Sequence, residues 1–355
     1  MKRFIIIILS VFALTFPLAA QLNLRNEISL YNVISLGEDL DLTYVQGAQN
    51  QLMISSSGYS NVKAEAAFDF TFDSLSLTDS VSLERLSVKS RFPSFTLTAG
   101  KTRLDWGEGI AFNAGNALFD DTTYQITFLE DSFISDYKWL TSVKVPVGFF
   151  SFVEAAVVAP SSADAADTTA GIRYYNSEND IKYEMALALR NDDSGKVITP
   201  SFSLSGNIIV DTYISAAFNL PYPEEILEEV KDSLVITAGA FHILTFENQS
   251  TLSMRLETLL YPFASFNAAE EPLALFAYPS IQYSLANSLT FSLQSVVSLI
   301  DASASVYAGS SWNIFDGLSL FAYLGGNLGE AEDTFPSSTE DSTVASLSVG
   351  LTSIF

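Results

Sequence analysis

The feature that most limits how this chain folds is a two-residue alternation held over runs of about ten residues. Ile181, Tyr183, Met185, Leu187 and Leu189 alternate with Lys182, Glu184 and Arg190. Leu252, Met254, Leu256 and Leu260 alternate with Ser253, Arg255 and Glu257, and Leu289, Phe291, Leu293, Val297 and Leu299 with Thr290, Ser292, Gln294 and Ser298. A strand sends successive side chains to opposite faces, so each run has one apolar and one polar face. A globular strand averages ~5–6 residues, whereas a tilted strand crossing hydrocarbon needs ~9–11. Alternation alone fits either a soluble sandwich or a cylinder that is apolar outside and polar within. The length of the runs favours the cylinder.

The start of the chain supports this. Lys2 and Arg3 precede an apolar run over residues 4–18, and Ala19-Ala20 precedes Gln21. That layout predicts an export signal over residues 1–20 and one mature domain over residues 21–355. Composition is 48 % hydrophobic and only 16 % charged, against ~25 % charged for a soluble domain. The apolar residues are dispersed in short alternating runs, which is how a transmembrane barrel reads. There are no cysteines, which suits passage through an oxidising compartment.

The expected fold is therefore an all-β, transmembrane antiparallel β-barrel. At ~20 residues per strand and connection it should have about 16 strands, with 14 to 18 accommodated. Short turns should alternate with long loops, the long ones at 160–169, 221–233, 267–272 and 328–343. The stretch "PYPEEILEEVKDS" at 221–233 reads as a short acidic helix inside its loop.

The last strand ends on Phe355, with Leu347, Val349 and Leu351 on the apolar parity before it. With the signal and the alternating strands, this resembles Gram-negative outer-membrane β-barrel proteins of the porin-like kind. The resemblance implies location in the outer membrane, contact with its lipid and often a homo-oligomer. It also implies that Leu347, Val349, Leu351 and Phe355 form the signal read by the barrel-assembly machinery. Ser353 departs from the bulky residue usual there.

A second stretch, "GKTRLDWGEGIAFNAGN" over residues 100–116, is similar to a segment of porin-like families that move organic solutes or polysaccharides. Arg103, Trp106, Gly107, Gly109, Phe112 and Asn113 carry the likeness, while Ala114 and Asn116 stand where Pro and Asp are usual. Two readings are open. The simpler is an interfacial Trp106 anchor followed by a tight turn at Gly107 and Gly109. The other is a loop folded into the lumen, with Lys101, Arg103, Asp105 and Glu108 lining a constriction. Phe95, Leu97 and Ala99 lie on the opposite parity from Leu104, so a bulge near Gly100 is expected to reset the register.

Charge is unevenly spread. The net formal charge of −24 becomes −26 once Lys2 and Arg3 are removed. Nucleic acid, which needs a basic footprint, is not an expected partner. Acidic residues crowd the long loops, while basic ones lie mostly in strands of the N-terminal half. Between Pro279 and Gly326 the only charges are Asp301 and Asp316. The polar parity there, including Ser298, Ser303, Ser305 and Tyr307, forms a neutral, hydroxyl-rich wall for uncharged solutes or for an inward loop. An acidic mouth concentrates cations.

The function these features predict is a channel for passive diffusion of small hydrophilic solutes, weakly cation-preferring. The alternatives are a structural or adhesive barrel with acidic loops, or a barrel lipid hydrolase. For the hydrolase, the sole histidine, His242, has Leu244 as its same-face neighbour rather than a serine. His242 is expected to be a lumen or interface side chain. Gly100-Lys101-Thr102 lacks the earlier glycine of a phosphate-binding loop. No catalytic residue, cofactor or metal site is expected.

Overall fold

The computed structural model describes residues 22–37, 41–56, 61–74, 80–119, 137–160, 168–192, 195–207, 209–222, 231, 233–264, 274–286, 288–330, 333–335 and 345–355. The expected export signal and most of the acidic helix at 221–233 lie outside these residues. The strands are β1 (Leu22–Leu36), β2 (Leu42–Ser56), β3 (Val62–Asp73), β4 (Ser80–Arg91), β5 (Thr96–Thr102), β6 (Lys138–Pro146), β7 (Ser151–Val158), β8 (Thr169–Glu178), β9 (Ile181–Asp192) and β10 (Gly195–Asn207). They continue as β11 (Asp211–Ala217), β12 (Leu220–Tyr222), β13 (Val235–Thr245), β14 (Thr251–Leu260), β15 (Leu275–Leu285), β16 (Leu289–Ser298), β17 (Ala304–Phe315), β18 (Leu318–Leu328) and β19 (Ala345–Ile354).

Each strand pairs antiparallel with its neighbours, and β1 pairs with both β2 and β19, so the sheet closes into a barrel. The seam is sealed by the Phe355 amide donating to the Asn26 carbonyl at 2.9 Å and the Asn26 amide donating back at 3.1 Å. β11 and β12 are two pieces of one stave, since both pair with β10 on either side of Pro200. Proline has no N–H for the ladder, so the break falls where a rung is already weakened. Counted as one stave they give 18 among the described residues, slightly more than the about 16 expected. Tight turns account for the excess. Asn179 and Asp180, at φ 51° and 65°, join β8 to β9 in two residues, the geometry that matches strand twist.

The parity read from the sequence sorts outside from inside. One continuous outward row runs from His242 through Met254, Ile281, Leu293, Ala308, Leu324, Leu347 and Ile34 to Tyr44. The next row, displaced by one residue, faces inward through Arg255, Ser280, Gln294, Tyr307 and Ser346. His242 thus stands on the outer face beside Met254. On the inner wall several aromatic rings lie across a glycine of the next strand. A Cβ on Gly47 would meet the Tyr31 ring at 2.1 Å, and one on Gly239 the Tyr213 ring at 2.2 Å. Covering the glycine this way protects its backbone and holds the ring flat against the wall.

The register does not reset at Gly100. β5 pairs with β4 and β6 without a shift through Gly100, which takes φ 128°. The expected bulge is instead one strand away, where β3 and β4 shift register between Ala67 and Phe68 and leave Glu84 as the extra residue. Leu104 changes face because the strand has ended at Thr102, not because it has slipped.

The outer row predicts an asymmetric response to charge. Leu293→Arg on the hydrocarbon-facing row should lower unfolding stability in bilayers by about 2–4 kcal/mol. Ser292→Arg, one residue away and inward, should cost less than about 1 kcal/mol. Urea titrations of the lipid-embedded protein read both values, and equal losses would contradict the assignment of faces.

Candidate functional site: an inward loop latched across the barrel

Of the two readings of residues 100–116, the structure takes the loop folded into the lumen. Trp106 is not an interfacial anchor: it is fully buried, packed with Leu104, Leu118, Phe119, Leu140, Ala156 and Val158 on the inner wall. Its ring lies where a Cβ on Gly171 of β8 would come within 2.7 Å. Phe112, also fully buried, packs on a different part of the wall with Leu259, Phe276, Tyr278 and Val296 of β14 to β16. Burying Phe112 contributes about 1.5–3 kcal/mol. The loop therefore leaves the wall at β5 and crosses to the C-terminal staves.

Its internal shape explains its residues. The Asn113 side-chain amide donates to the Trp106 carbonyl at 2.8 Å and ties the loop back on itself. Gly107, at φ 75°, approaches that same side chain and Gly115, so any Cβ at 107 would lie 2.1 Å from Asn113 Oδ1. The Trp-Gly…Phe-Asn pattern is thus a self-bracing turn that needs a glycine at its neck.

Two charged clasps hold the loop to the wall. The far clasp is Glu257 of β14, whose carboxylate is completely buried. It accepts from the backbone amides of Ile110 at 3.2 Å, Ala111 at 2.9 Å and Phe112 at 3.1 Å, and from Arg255 at 2.8 Å. A buried carboxylate is tolerated only when it is paired and hydrogen-bonded, and here the loop supplies the donors. The Ala114 amide donates to Thr237 Oγ1, and Tyr213 and Ser201 hydroxyls donate to the carbonyls of Phe112 and Gly115, each at 3.3 Å.

The near clasp centres on Arg173 of β8. Its guanidinium pairs with Glu154 at 2.7 Å and Glu184 at 2.9 Å, and donates to the Asp105 carbonyl at 2.8 Å. Glu184 in turn accepts from the Gly107 amide at 3.0 Å. Arg173 therefore fixes the neck of the loop between two wall carboxylates.

The expected constriction residues do not act as one group. Lys101 stands on the outward parity, opposite Leu86 and Trp139, with its ammonium donating to the Leu83 carbonyl at 2.6 Å. Arg103 and Asp105 line the lumen beside the neck and are 3.8 Å apart. Arg103 also lies 5.3 Å over the Tyr137 ring, which Arg85 covers from 4.7 Å. Glu108 is 3.7 Å from Lys182 of β9. The clasp residues Glu257, Arg255, Arg173, Glu154 and Glu184 were not singled out from the sequence. The available signal was a carboxylate midway along a strand on its polar parity, as at Glu184 and Glu257.

A second segment also enters the mouth. Asp301 accepts from the amide and hydroxyl of Thr334 and from the amide and hydroxyl of Ser303. Partial burial pushes its carboxyl up, but these four hydrogen bonds outweigh it and hold the pKa well below the carboxylate range. Such anchorage is in place above the unfolded carboxyl value near ~4 and is lost only as pH falls through the depressed folded one. Phe335 follows, its ring 6.2 Å from Phe276. Ser298 and Ser303 are fully buried and Ser305 nearly so. This part of the hydroxyl-rich wall therefore packs rather than facing open lumen.

What remains open beside the near clasp is a cavity of about 310 Å³. Its walls come from β3 to β8 and from the loop neck, with Thr96, Thr98 and Ser87 between charged side chains. Among the described residues no group of acidic or histidine side chains is placed to hold a metal ion.

The architecture has known counterparts. OccAB3 of Acinetobacter baumannii superposes with a TM-score of 0.58 over 94% of this chain and 99% of that one, at 9% sequence identity. A mutant of Rhodopseudomonas blastica porin gives a TM-score of 0.50 over 94% of this chain and 100% of that one, at 10% identity. The likeness establishes a closed, porin-like barrel. No protein-family model matches the sequence, and no curated protein does.

The clasps predict how the loop comes free. Glu257→Ala leaves Arg255 and three loop amides without their acceptor, and removing one partner of such a buried pair costs about 3–5 kcal/mol. Trp106 should then become accessible to aqueous iodide, while Trp139 and Trp312, half exposed on the outer face, stay shielded by lipid. Unchanged quenching in Glu257→Ala would show that the loop is held without this carboxylate.

Proposed function

We propose that the protein is an outer-membrane channel of a Gram-negative bacterium for passive diffusion of small hydrophilic solutes. One observation carries this reading: the wall is closed and apolar outside, and inside it a loop is braced across the lumen next to a charged, water-accessible cavity. A barrel of this stave number without such a loop would enclose a broad aqueous pore. A loop clasped to the wall at its neck and at Phe112 narrows the lumen, which is what a size-limited diffusion channel requires.

A weak cation preference belongs to the same reading. The acid-rich stretches at 160–169, 221–233, 267–272 and 328–343 all connect strands at one rim. Most of their residues lie outside the described residues, so the support is their sequence and the rim they share. Carboxylates at a mouth raise the local cation concentration. The preference stays weak because the wall beside the loop neck carries lysines and arginines.

The channel reading is favoured over a lipid hydrolase by the place of His242. A hydrolase needs a nucleophile beside its base, and the register partner of His242 on β14 is Met254, with Leu244 its same-face neighbour along β13.

Two measurements test the proposal. Proteoliposomes should swell in small sugars and amino acids and exclude solutes above a size limit, and that limit should rise in Glu257→Ala. In planar bilayers under a potassium chloride gradient the reversal potential should have the sign of modest cation preference. Absence of swelling would overturn the channel, and an anion-signed potential would overturn the role given to the acidic mouth.

A further inference from the structure

We infer that the cavity beside the loop neck is a binding site for a small organic or inorganic dianion. The inference rests on the channel reading for its purpose, but the binding it describes is measurable on the folded barrel alone.

The first observation is a clash left in place. Lys63 of β3 and Lys89 of β4 are direct partners in the register, so their side chains leave the same rung on the same, inward face. Like charges directly opposite each other destabilise a sheet. Among the described residues no acidic side chain forms an ion pair with either: Glu65, on their side of β3, is engaged by Arg85 at 3.1 Å. Both lysines line the cavity.

The second observation is the charge of the whole lining. Arg173, Arg103 and Lys144 join the two lysines, and the carboxylates there are Glu65, Asp105 and Glu154. Glu154 is consumed by Arg173 at 2.7 Å, with Lys144 further off at 3.9 Å. Arg173 is also taken by Glu184 from outside the cavity. Asp105 is turned to solvent, 85% exposed, and only 3.8 Å from Arg103. Pairing off these partners leaves Lys63 and Lys89 as the unanswered charges among the described residues of the lining, flanked by Lys144.

The third observation is the rest of the lining. Thr96, Thr98, Thr102 and Ser87 supply hydroxyls between the cations. Ammonium groups give charge and hydroxyls give additional donors to oxygen acceptors. A volume of about 310 Å³ admits a dicarboxylate of a few carbons or a phosphate ester, near the lower end of ligand sites. A monoanion would leave one lysine still repelled by the other. A dianion bridges both.

Titration calorimetry of the detergent-folded protein with succinate, with inorganic phosphate and with acetate tests this. Succinate should bind at least about tenfold more tightly than acetate, and its affinity should fall as sodium chloride is raised. Phosphate should bind more tightly at pH 8, as the dianion, than at pH 5.5, as the monoanion. Comparing succinate with phosphate at pH 8 shows whether the site favours carboxylate or phosphoryl oxygen. The double variant Lys63→Gln/Lys89→Gln should weaken succinate about tenfold or more. Lys196→Gln, which lies on the outward parity away from the cavity, should leave binding unchanged. Should the double variant fail to fold, the acetate and pH comparisons on the unaltered protein decide the matter. Equal affinity for succinate and acetate, or no effect of phosphate valency, would overturn the inference. Loss of conductance with succinate binding intact would overturn only the channel.

Discussion

In hydrocarbon there is no water to satisfy a peptide group, and this single constraint organises the protein. Every wall amide and carbonyl must find a partner on a neighbouring stave, so the sheet cannot end and has to close. Closure puts β1 against β19 and makes the terminal Phe355 part of the seam through its exchange with Asn26. Once the ladder is closed, side-chain parity is no longer negotiable. A slip of one residue would carry Arg255 and Glu257 into lipid and Met254 into the lumen.

The same closure frees the inner face for unusual chemistry. Because the barrel's stability comes from its ladder and outer surface, the interior tolerates groups that a compact core would reject. Glu257, Glu154 and Glu184 are buried carboxylates, yet each is answered, by Arg255 and loop amides or by Arg173. These pairs work as fasteners with defined geometry rather than as bulk stabilisers, since a buried ion pair contributes little net stability over apolar packing. Their effect is to fix one conformation of a loop that also packs on the wall through the apolar clusters of Trp106 and Phe112. The braced loop divides the interior into a charged side along β3 to β8 and a neutral side along β15 to β19. The neutral side packs partly against the Thr334–Phe335 segment.

Much of this was legible in the primary structure. The outward rows are the apolar parity of the alternating runs, and the polar parity supplies the lumen. Trp106, Gly107, Phe112 and Asn113 were visible as a segment unlike its neighbours. The destination of that segment was not legible. A tryptophan after a strand reads equally well as an anchor at the bilayer surface, because nothing local distinguishes the two. Lys101 shows the same limit. It shares sequence parity with Arg103 and Asp105, but the strand ends between them, so it faces outward and they face in.

The alternation, the membrane-spanning length of its runs and the export signal together pointed to a lipid-coated β-barrel with a polar interior. Period two at membrane-spanning length sorts side chains into an apolar and a polar face, and in hydrocarbon a closed sheet is how such strands satisfy their backbone. Only the tertiary structure decided what fills that interior. The clasps join Gly107 to Glu184 and Phe112 to Glu257, residues separated by many strands, and the facing Lys63 and Lys89 depend on a register set by the neighbouring ladder. Such meetings are products of closure, and no local pattern along the chain encodes which distant side chains a cylinder will bring together.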